Sequence, residues 1–155
     1  MSAPRAGRER SDDVVHDLRR LTIALHLFGA EFAARHHMHA TDVRALVALL
    51  DTVRSGEPAS PGALATALGL SSASTTALLD RMERADLVNR TRDEGDRRRV
   101  ALSVTAHAER LGAEFFGELI GGVLAVADDY TAAELDLIRG FLTKVTATVE
   151  SARAG

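Results

Sequence analysis

Residues 72–99 carry the side chains whose types and spacing predict a specific chemistry. Small hydroxyl and arginine side chains recur at helical spacing over residues 72–84, and an arginine-rich polar loop follows at residues 92–98. A helix fits the major groove of duplex DNA, and a basic loop beside it reaches the neighbouring minor groove. The pattern therefore predicts a surface that contacts DNA.

The helix expected to start at Ser71 or Ser72 has two faces at about 100° per residue. We expect an inward face formed by Thr75, Leu78, Leu79 and Met82. Small hydroxyl groups at the start of the outward side let the backbone approach bases, and its arginines lie where phosphates would be. The predicted DNA-contacting residues of this helix are Ser72, Ser74, Thr76, Ala77, Arg81 and Arg84.

Each half of this pattern also has a plainer interpretation. Serine and threonine at a helix start usually only cap the helix, and an arginine-rich loop that also contains acids is usually a solvated turn. The order of the two features within about forty residues favours the DNA interpretation over both.

Composition limits the other possibilities. The 155 residues fit one domain and contain no cysteine, which excludes disulfides, thiolate metal sites and cysteine nucleophiles. We see no apolar run long enough for a membrane span. The first ten residues lack the apolar segment of a secretory signal, so we expect a disordered arm and a cytoplasmic protein. No cofactor-binding motif is present.

Charge is distributed unevenly along the chain. The net charge is −3, and residues 114–155 carry seven acids against three bases. Residues 81–99, in contrast, hold seven arginines against five acids. This asymmetry is compatible with one end that faces phosphate and another that faces solvent or a partner.

Periodicity predicts six helices with one hairpin inserted after the fourth. The strands are expected at residues 87–91 and 99–104, where alternation replaces the helical period. The first and last helices each have a narrow apolar seam, which is typical of helices that pack along another helix. The expected N-caps are Ser11, Thr41, Ser60, Ser71 or Ser72, Thr105 and Thr131.

Four segments resemble the MarR (multiple antibiotic resistance regulator) family. They are Leu78-Leu79-Asp80-Arg81-Met82-Glu83-Arg84, Leu87-Val88-Asn89-Arg90, Asp93-Glu94-Gly95-Asp96-Arg97-Arg98 and Val100-Ala101-Leu102-Ser103-Val104-Thr105. The resemblance implies a mainly α winged helix-turn-helix fold (α+β) of six helices with a small β-hairpin wing. It divides one compact unit into a disordered arm (1–10), dimerisation helices (11–40 and 105–152) and a DNA-binding region (41–104).

The resemblance also implies a function. A family member would be a transcription regulator, and we expect a repressor. It would bind a palindromic operator as an obligate homodimer whose interface is formed by helices 1, 5 and 6. Asp96 would orient Arg98 into the minor groove, where a narrow A·T-rich groove attracts arginine. Arg97 and Arg99 would contact phosphates or brace the wing.

The sequence departs from the family pattern at two positions in the helix region. Ala77 stands where many members have a large polar or basic side chain, which puts direct base contact at that position in doubt. Asp86 stands where glycine usually ends the helix, and aspartate tolerates the left-handed backbone better than most residues.

A small organic ligand is the family's usual effector, bound between the dimer helices and the winged region. Candidate pocket residues are His26, Phe28, Phe32, Phe115 and Phe116, although each is more simply explained as core. Two alternatives stay open, a metal-responsive regulator that uses His36 and His39, and a winged-helix module that binds protein. An enzyme finds no support, because no catalytic constellation is recognisable.

Overall fold

The predicted set of elements, six helices and one hairpin, is confirmed. The computed structural model describes residues 3–92 and 100–154. The strands pair antiparallel, from Val88 opposite Val104 to Arg92 opposite Val100. In chain order the elements are α1 (Ala3–Arg35), α2 (Ala40–Ser55), α3 (Pro61–Leu68), α4 (Ser72–Arg84), β1 (Val88–Arg92), β2 (Val100–Val104), α5 (Ala106–Ala127) and α6 (Ala132–Ala154).

The start of α1 differs from the sequence expectation. The helix begins at Ala3, so residues 3–10 are helical where a disordered arm was expected. The segment contains three arginines, two alanines and one glutamate, which are strong helix formers. Pro4 lies in the first turn, where its missing N–H leaves no helical hydrogen bond unmade. The Ser11 cap is therefore wrong, because Ser11 lies inside the helix.

The chain divides into two units, Met1–Leu111 and Gly112–Gly155, where one compact unit was expected. The first contains α1 to α4, the hairpin and the start of α5. The second contains the rest of α5 and all of α6, which are long helices whose contacts are mainly local in sequence. The helix-turn-helix region and the hairpin thus belong to one and the same unit.

Most of the predicted caps are confirmed. The Ser60 hydroxyl accepts from the Ala63 N–H at 3.2 Å, and the Ser71 hydroxyl accepts from the Ser74 N–H at 3.2 Å. The Glu134 carboxylate accepts from the backbone N–H of its cap residue Thr131 at 2.8 Å and from the Thr131 hydroxyl at 2.7 Å. These two hydrogen bonds lower the pKa of Glu134. Each cap satisfies backbone donors that the helix itself leaves unpaired.

The start of α2 is the second exception among the caps, after Ser11. Its N-cap is His39, where Thr41 was expected. The Asp42 carboxylate accepts from the His39 backbone N–H at 3.2 Å. The acid in the third helical position thus accepts from the backbone N–H of the N-cap residue, which is one half of a capping box.

The core of the first unit lies beneath α4. The predicted inward face of this helix, Thr75, Leu78, Leu79 and Met82, is buried as expected. The largest fully buried side chains are Phe32, Leu46, Leu78, Leu79, Met82 and Val88. Because these side chains come from α1, α2, α4 and β1, one apolar cluster joins the three helices to the hairpin.

A three-residue turn joins α3 to α4. Gly69 ends α3 in the left-handed region at φ 66°, a conformation that glycine adopts without steric cost. The axes of the two helices then meet at 110°, within the range of helix-turn-helix units. Among the described helices, none alone is long and apolar enough to cross a membrane, and the bent pair of α3 and α4 qualifies only by length and composition.

The junction of α4, β1 and α5 depends on Asp86 and Thr105. Asp86 has a left-handed backbone at φ 54°, as expected for the residue that replaces glycine there. The Thr105 hydroxyl donates to the Asp86 carbonyl oxygen at 2.5 Å and accepts from the Ala108 N–H at 3.1 Å. One hydroxyl therefore links the turn after α4 to the start of α5.

Asp86 provides a test of this junction. We expect Asp86→Gly to raise the free energy of unfolding by about 0.5–1 kcal/mol, because glycine has no Cβ to strain the left-handed backbone. Asp86→Ala is the matched control and should lower it. Urea denaturation at fixed protein concentration measures both. A less stable glycine variant would show that the aspartate side chain itself stabilises the turn.

Candidate nucleic-acid interface

The start of α4 presents small side chains to solvent, as the sequence predicted. Ser72, Ser74, Thr76 and Ala77 are all exposed. The Ser71 hydroxyl donates to the Ser74 hydroxyl oxygen at 2.9 Å, and the Thr76 hydroxyl donates to the Ser72 carbonyl at 3.0 Å. The caps thus order this end of the helix, and the exposed oxygen atoms can still accept further hydrogen bonds.

Arg81 is placed differently from the sequence expectation. It was expected to face phosphates, but its Nη2 lies 2.7 Å from Asp42 Oδ1, and its side chain is only 34 % exposed. The hydrogen bond to Asp42 is the main cause that raises the pKa of Arg81. Arg81 therefore ties α4 to the start of α2.

Asp42 is the partner of Arg81 that sequence reasoning missed. Its side chain is 8 % exposed, and its two oxygens bind Arg81 and the His39 N–H. The pair joins residues 39 positions apart, so no local spacing connects them. The only available signal was an acid near the start of an apolar helix, and that also fits an ordinary helix-start acid.

Arg84 keeps the position that was predicted for it. Its side chain is exposed, and its Nε donates to the Asp80 carbonyl at 3.0 Å. Thr76, Asp80 and Arg84 are spaced four residues apart in the sequence, so the three share one face of α4. Arg84 therefore lies at the end of the face that begins with the exposed hydroxyl groups.

A second arginine, Arg90 on β1, reaches back to α4. Its Nη2 lies 2.6 Å from Asp80 Oδ1, and its Nε lies 3.1 Å from Glu83 Oε2, to which Nη2 also donates. We call Arg90, Asp80 and Glu83 the Arg90 cluster. The hydrogen bond to Glu83, followed by that to Asp80, raises the pKa of Arg90. The cluster joins the hairpin to the outward side of α4.

The predicted wing residues Asp96, Arg97, Arg98 and Arg99 lie outside the described residues, so their roles stay predictions. The strands on either side are described. The Leu102 N–H donates to the Ala59 carbonyl at 2.9 Å, which attaches β2 to the loop before α3. The base of the hairpin is therefore anchored on both sides, to α4 by β1 and to this loop by β2.

The predicted ligand-pocket residues fall into both units of the chain. In the first unit His26 is exposed, Phe28 is half-buried and Phe32 is fully buried. In the second, the rings of Phe115 and Phe116 meet edge to face at 5.2 Å. None of the five lines the cavity of about 50 Å³ between α2 and α3, which is far smaller than the pockets that hold organic ligands. The pocket stays a prediction.

The histidine region has a structural explanation. The ring of His36 packs on Phe32 with centroids 4.5 Å apart, and His37 ends the helix with φ at 52°. Over the ranges that the structure describes, no group of three or more His, Cys, Asp or Glu side chains is arranged to hold a metal ion. The alternative that used His36 and His39 as metal ligands gains no support.

Two short helices at about a right angle, followed directly by an antiparallel hairpin, define a winged helix-turn-helix protein. The sequence model of the MarR family matches residues 44–100. The uncharacterized HTH-type transcriptional regulator YcgE of Bacillus subtilis is 30% identical over 150 residues, 97% of this chain and 95% of that protein. The chain belongs to the MarR family of transcriptional regulators.

Solved structures with the same fold are less similar in sequence. A MepR mutant from a multidrug resistant S. aureus clinical isolate has a TM-score of 0.72 at 17% identity over 88% of this chain and 96% of that one. NadR in complex with 4-hydroxyphenylacetate has a TM-score of 0.65 at 23% identity over 85% and 91%. The S. aureus MepR–DNA complex has a TM-score of 0.56 at 18% identity over 84% and 96%. These structures support the fold.

The Arg81–Asp42 pair leads to a stability prediction. We expect Asp42→Asn to lower the free energy of unfolding by about 1–2 kcal/mol, because a partly buried guanidinium loses its charged partner. The control is Asp51→Asn, which breaks the exposed pair with Arg54 and should change stability by less than about 0.5 kcal/mol. Denaturant unfolding measures both. Equal effects would mean that the buried pair contributes no more than a surface pair.

Proposed function

We propose that this chain binds a palindromic DNA operator as a homodimer and represses transcription there. The observation that carries the proposal is the outward face of α4. It combines exposed hydroxyl side chains at its start with an exposed Arg84 at its end, on a helix that meets α3 at 110°. A helix with this placement enters the major groove with its first residues toward the bases.

The contacts divide by residue type. Ser72, Ser74, Thr76 and Ala77 would lie near base edges, and Arg84 would contact a phosphate. Arg81 is given another role, that of bracing α4 on α2, because its guanidinium is already held by Asp42. With Ala77 unable to form side-chain hydrogen bonds, base recognition by α4 would depend on short hydroxyl side chains, which hydrogen-bond either kind of base pair.

The wing would complete the interface. Asp96 would hold the Arg98 guanidinium ready for the minor groove, and Arg97 and Arg99 would contact phosphates. The anchoring of β1 on α4 and of β2 on the loop before α3 supports this proposal, because it fixes both strands that flank the wing residues. Arginine in a narrow groove reads DNA shape without base-specific bonds.

Dimerisation is supported by apolar side chains that remain exposed on the helices at both ends of the chain. A single folded chain rarely leaves so many in contact with water. The exposed members of α1 and α6 include residues of both predicted seams. They are Val14, Leu21, Leu25, Ile138, Leu142 and Val149. A homodimer through α1, α5 and α6 would bury them and relate two copies of α4 by a two-fold axis.

A small organic ligand is proposed as the effector. The complex of the similar NadR with 4-hydroxyphenylacetate supports an organic ligand over a metal. His26, Phe28, Phe32, Phe115 and Phe116 remain the candidate contacts. Ligand binding that favours a dimer with a different spacing of its two recognition helices would release the operator.

The proposal is tested by selection of bound sequences from random DNA duplexes, followed by binding assays on the selected duplex. We expect two inverted half-sites about one helical turn apart, because the symmetry of the DNA follows that of the dimer. Affinity should fall steeply between about 50 mM and 200 mM salt as counterions are released. No enrichment and no salt-sensitive binding would indicate a protein-binding winged helix.

Arg98→Ala tests the wing. We expect the variant to weaken binding to the selected duplex by about 1–3 kcal/mol, the range for one strong arginine contact. Arg139→Ala, in an exposed pair on α6, removes the same charge and should have a much smaller effect. Fluorescence anisotropy measures affinity, and sedimentation should show that both variants remain dimers. Unchanged affinity in Arg98→Ala would show that the wing stays out of the groove.

A further inference from the structure

The outward face of α4 carries two carboxylates that a DNA-binding surface would not be expected to have. Asp80 and Glu83 follow Thr76 by four and seven residues, so all three lie on one face of the helix. The side chains of Asp80 and Glu83 are 47 % and 43 % exposed. Two unpaired acids there would repel the phosphates of an approaching duplex.

Arg90 binds both carboxylates at once. The guanidinium reaches them from β1 through Nη2 and Nε, while its own side chain is 28 % exposed. Arginine is suited to this task because its planar donors are always charged and can serve two acceptors. The cluster as a whole therefore carries one negative charge where the two acids alone would carry two.

The two ion pairs of α4 differ in where their acids lie. Asp42, the partner of Arg81, is buried beside the start of α2, so the pair joins two helices inside the protein. Asp80 and Glu83 remain accessible on the side of α4 that begins with the exposed hydroxyl groups. An arginine that serves only as an internal brace has no need of two solvent-exposed acids. The Arg90 cluster therefore lies on the side of α4 that would face DNA.

We propose that Arg90 is a neutralising and positioning residue for DNA binding. Its guanidinium pairs with Asp80 and Glu83, so that the recognition helix α4 can approach phosphates. It also fixes the base of the hairpin to α4. The inference rests on the proposed function, because it assigns α4 to the DNA. It adds a residue that touches neither base nor phosphate.

The test compares Arg90→Gln, the double variant Asp80→Asn/Glu83→Gln, and the triple variant that combines all three changes. The probe is the duplex recovered by selection, measured at about 50 mM and 200 mM salt. Arg90→Gln should bind on the order of tenfold more weakly, with the larger loss at low salt, because screening weakens charge repulsion. The double variant keeps amide oxygens that can accept from Arg90, so it should bind at least as tightly as the parent. The triple variant should recover most of the affinity that Arg90→Gln loses.

Recovery of affinity in the triple variant is the decisive readout. Compared with Arg90→Gln, the triple variant restores no contact of Arg90 and removes only the two negative charges. Arg139→Gln controls for the loss of one positive charge elsewhere. If Arg90→Gln binds as tightly as the parent, or if the triple variant binds as weakly as Arg90→Gln, the neutralising role is overturned. A parent protein that binds no duplex contradicts the proposed function itself, so the two failures are distinguishable.

Discussion

Burial of one side of α4 is the constraint from which the other features of the first unit follow. The helix has thirteen residues and a single apolar stripe, so placing Leu78, Leu79 and Met82 in the core leaves only one orientation for the rest. Burying three such side chains contributes roughly 5–9 kcal/mol before the opposing entropy is counted. That orientation turns the hydroxyl side chains and Arg84 outward. If α4 were rotated about its axis by one residue position, polar groups would be buried without partners, which a small core cannot tolerate.

The arginines of α4 and β1 show how similar side chains take different roles in one unit. Arg81 pairs with a buried acid and joins α4 to α2, whereas Arg90 pairs with two exposed acids and joins α4 to the hairpin. Arg84, in contrast, forms no ion pair with the residues that the structure describes, and bonds only a carbonyl of its own helix. The two braced arginines hold the helix and hairpin in place, and the third is left available for a ligand.

The elements were predictable from sequence where local rules decide, and the partners of charged groups were not. Helical periodicity, the caps at Ser60, Ser71, Thr105 and Thr131, and the left-handed Asp86 all depend on neighbours within a few residues. Arg81 was expected to face phosphates, and its ion pair with Asp42 was not foreseen because that partner is 39 residues away. The helical start at Ala3 was missed because a cap signal at Ser11 outweighed the helix propensity before it. At Asp42, a helix-start acid proved to be also the anchor of an arginine.

The net charge of −3 makes local neutralisation more important here than in a basic DNA-binding protein. A basic protein draws DNA over long distances, and a few misplaced acids are offset by the surrounding field. This chain has no such excess, and charges more than about 10 Å apart are largely screened at moderate salt. Attraction to DNA must therefore come from groups at the contact itself. Two exposed carboxylates on α4 would act at that same short range, and Arg90 is the cation that pairs with both and halves their combined charge.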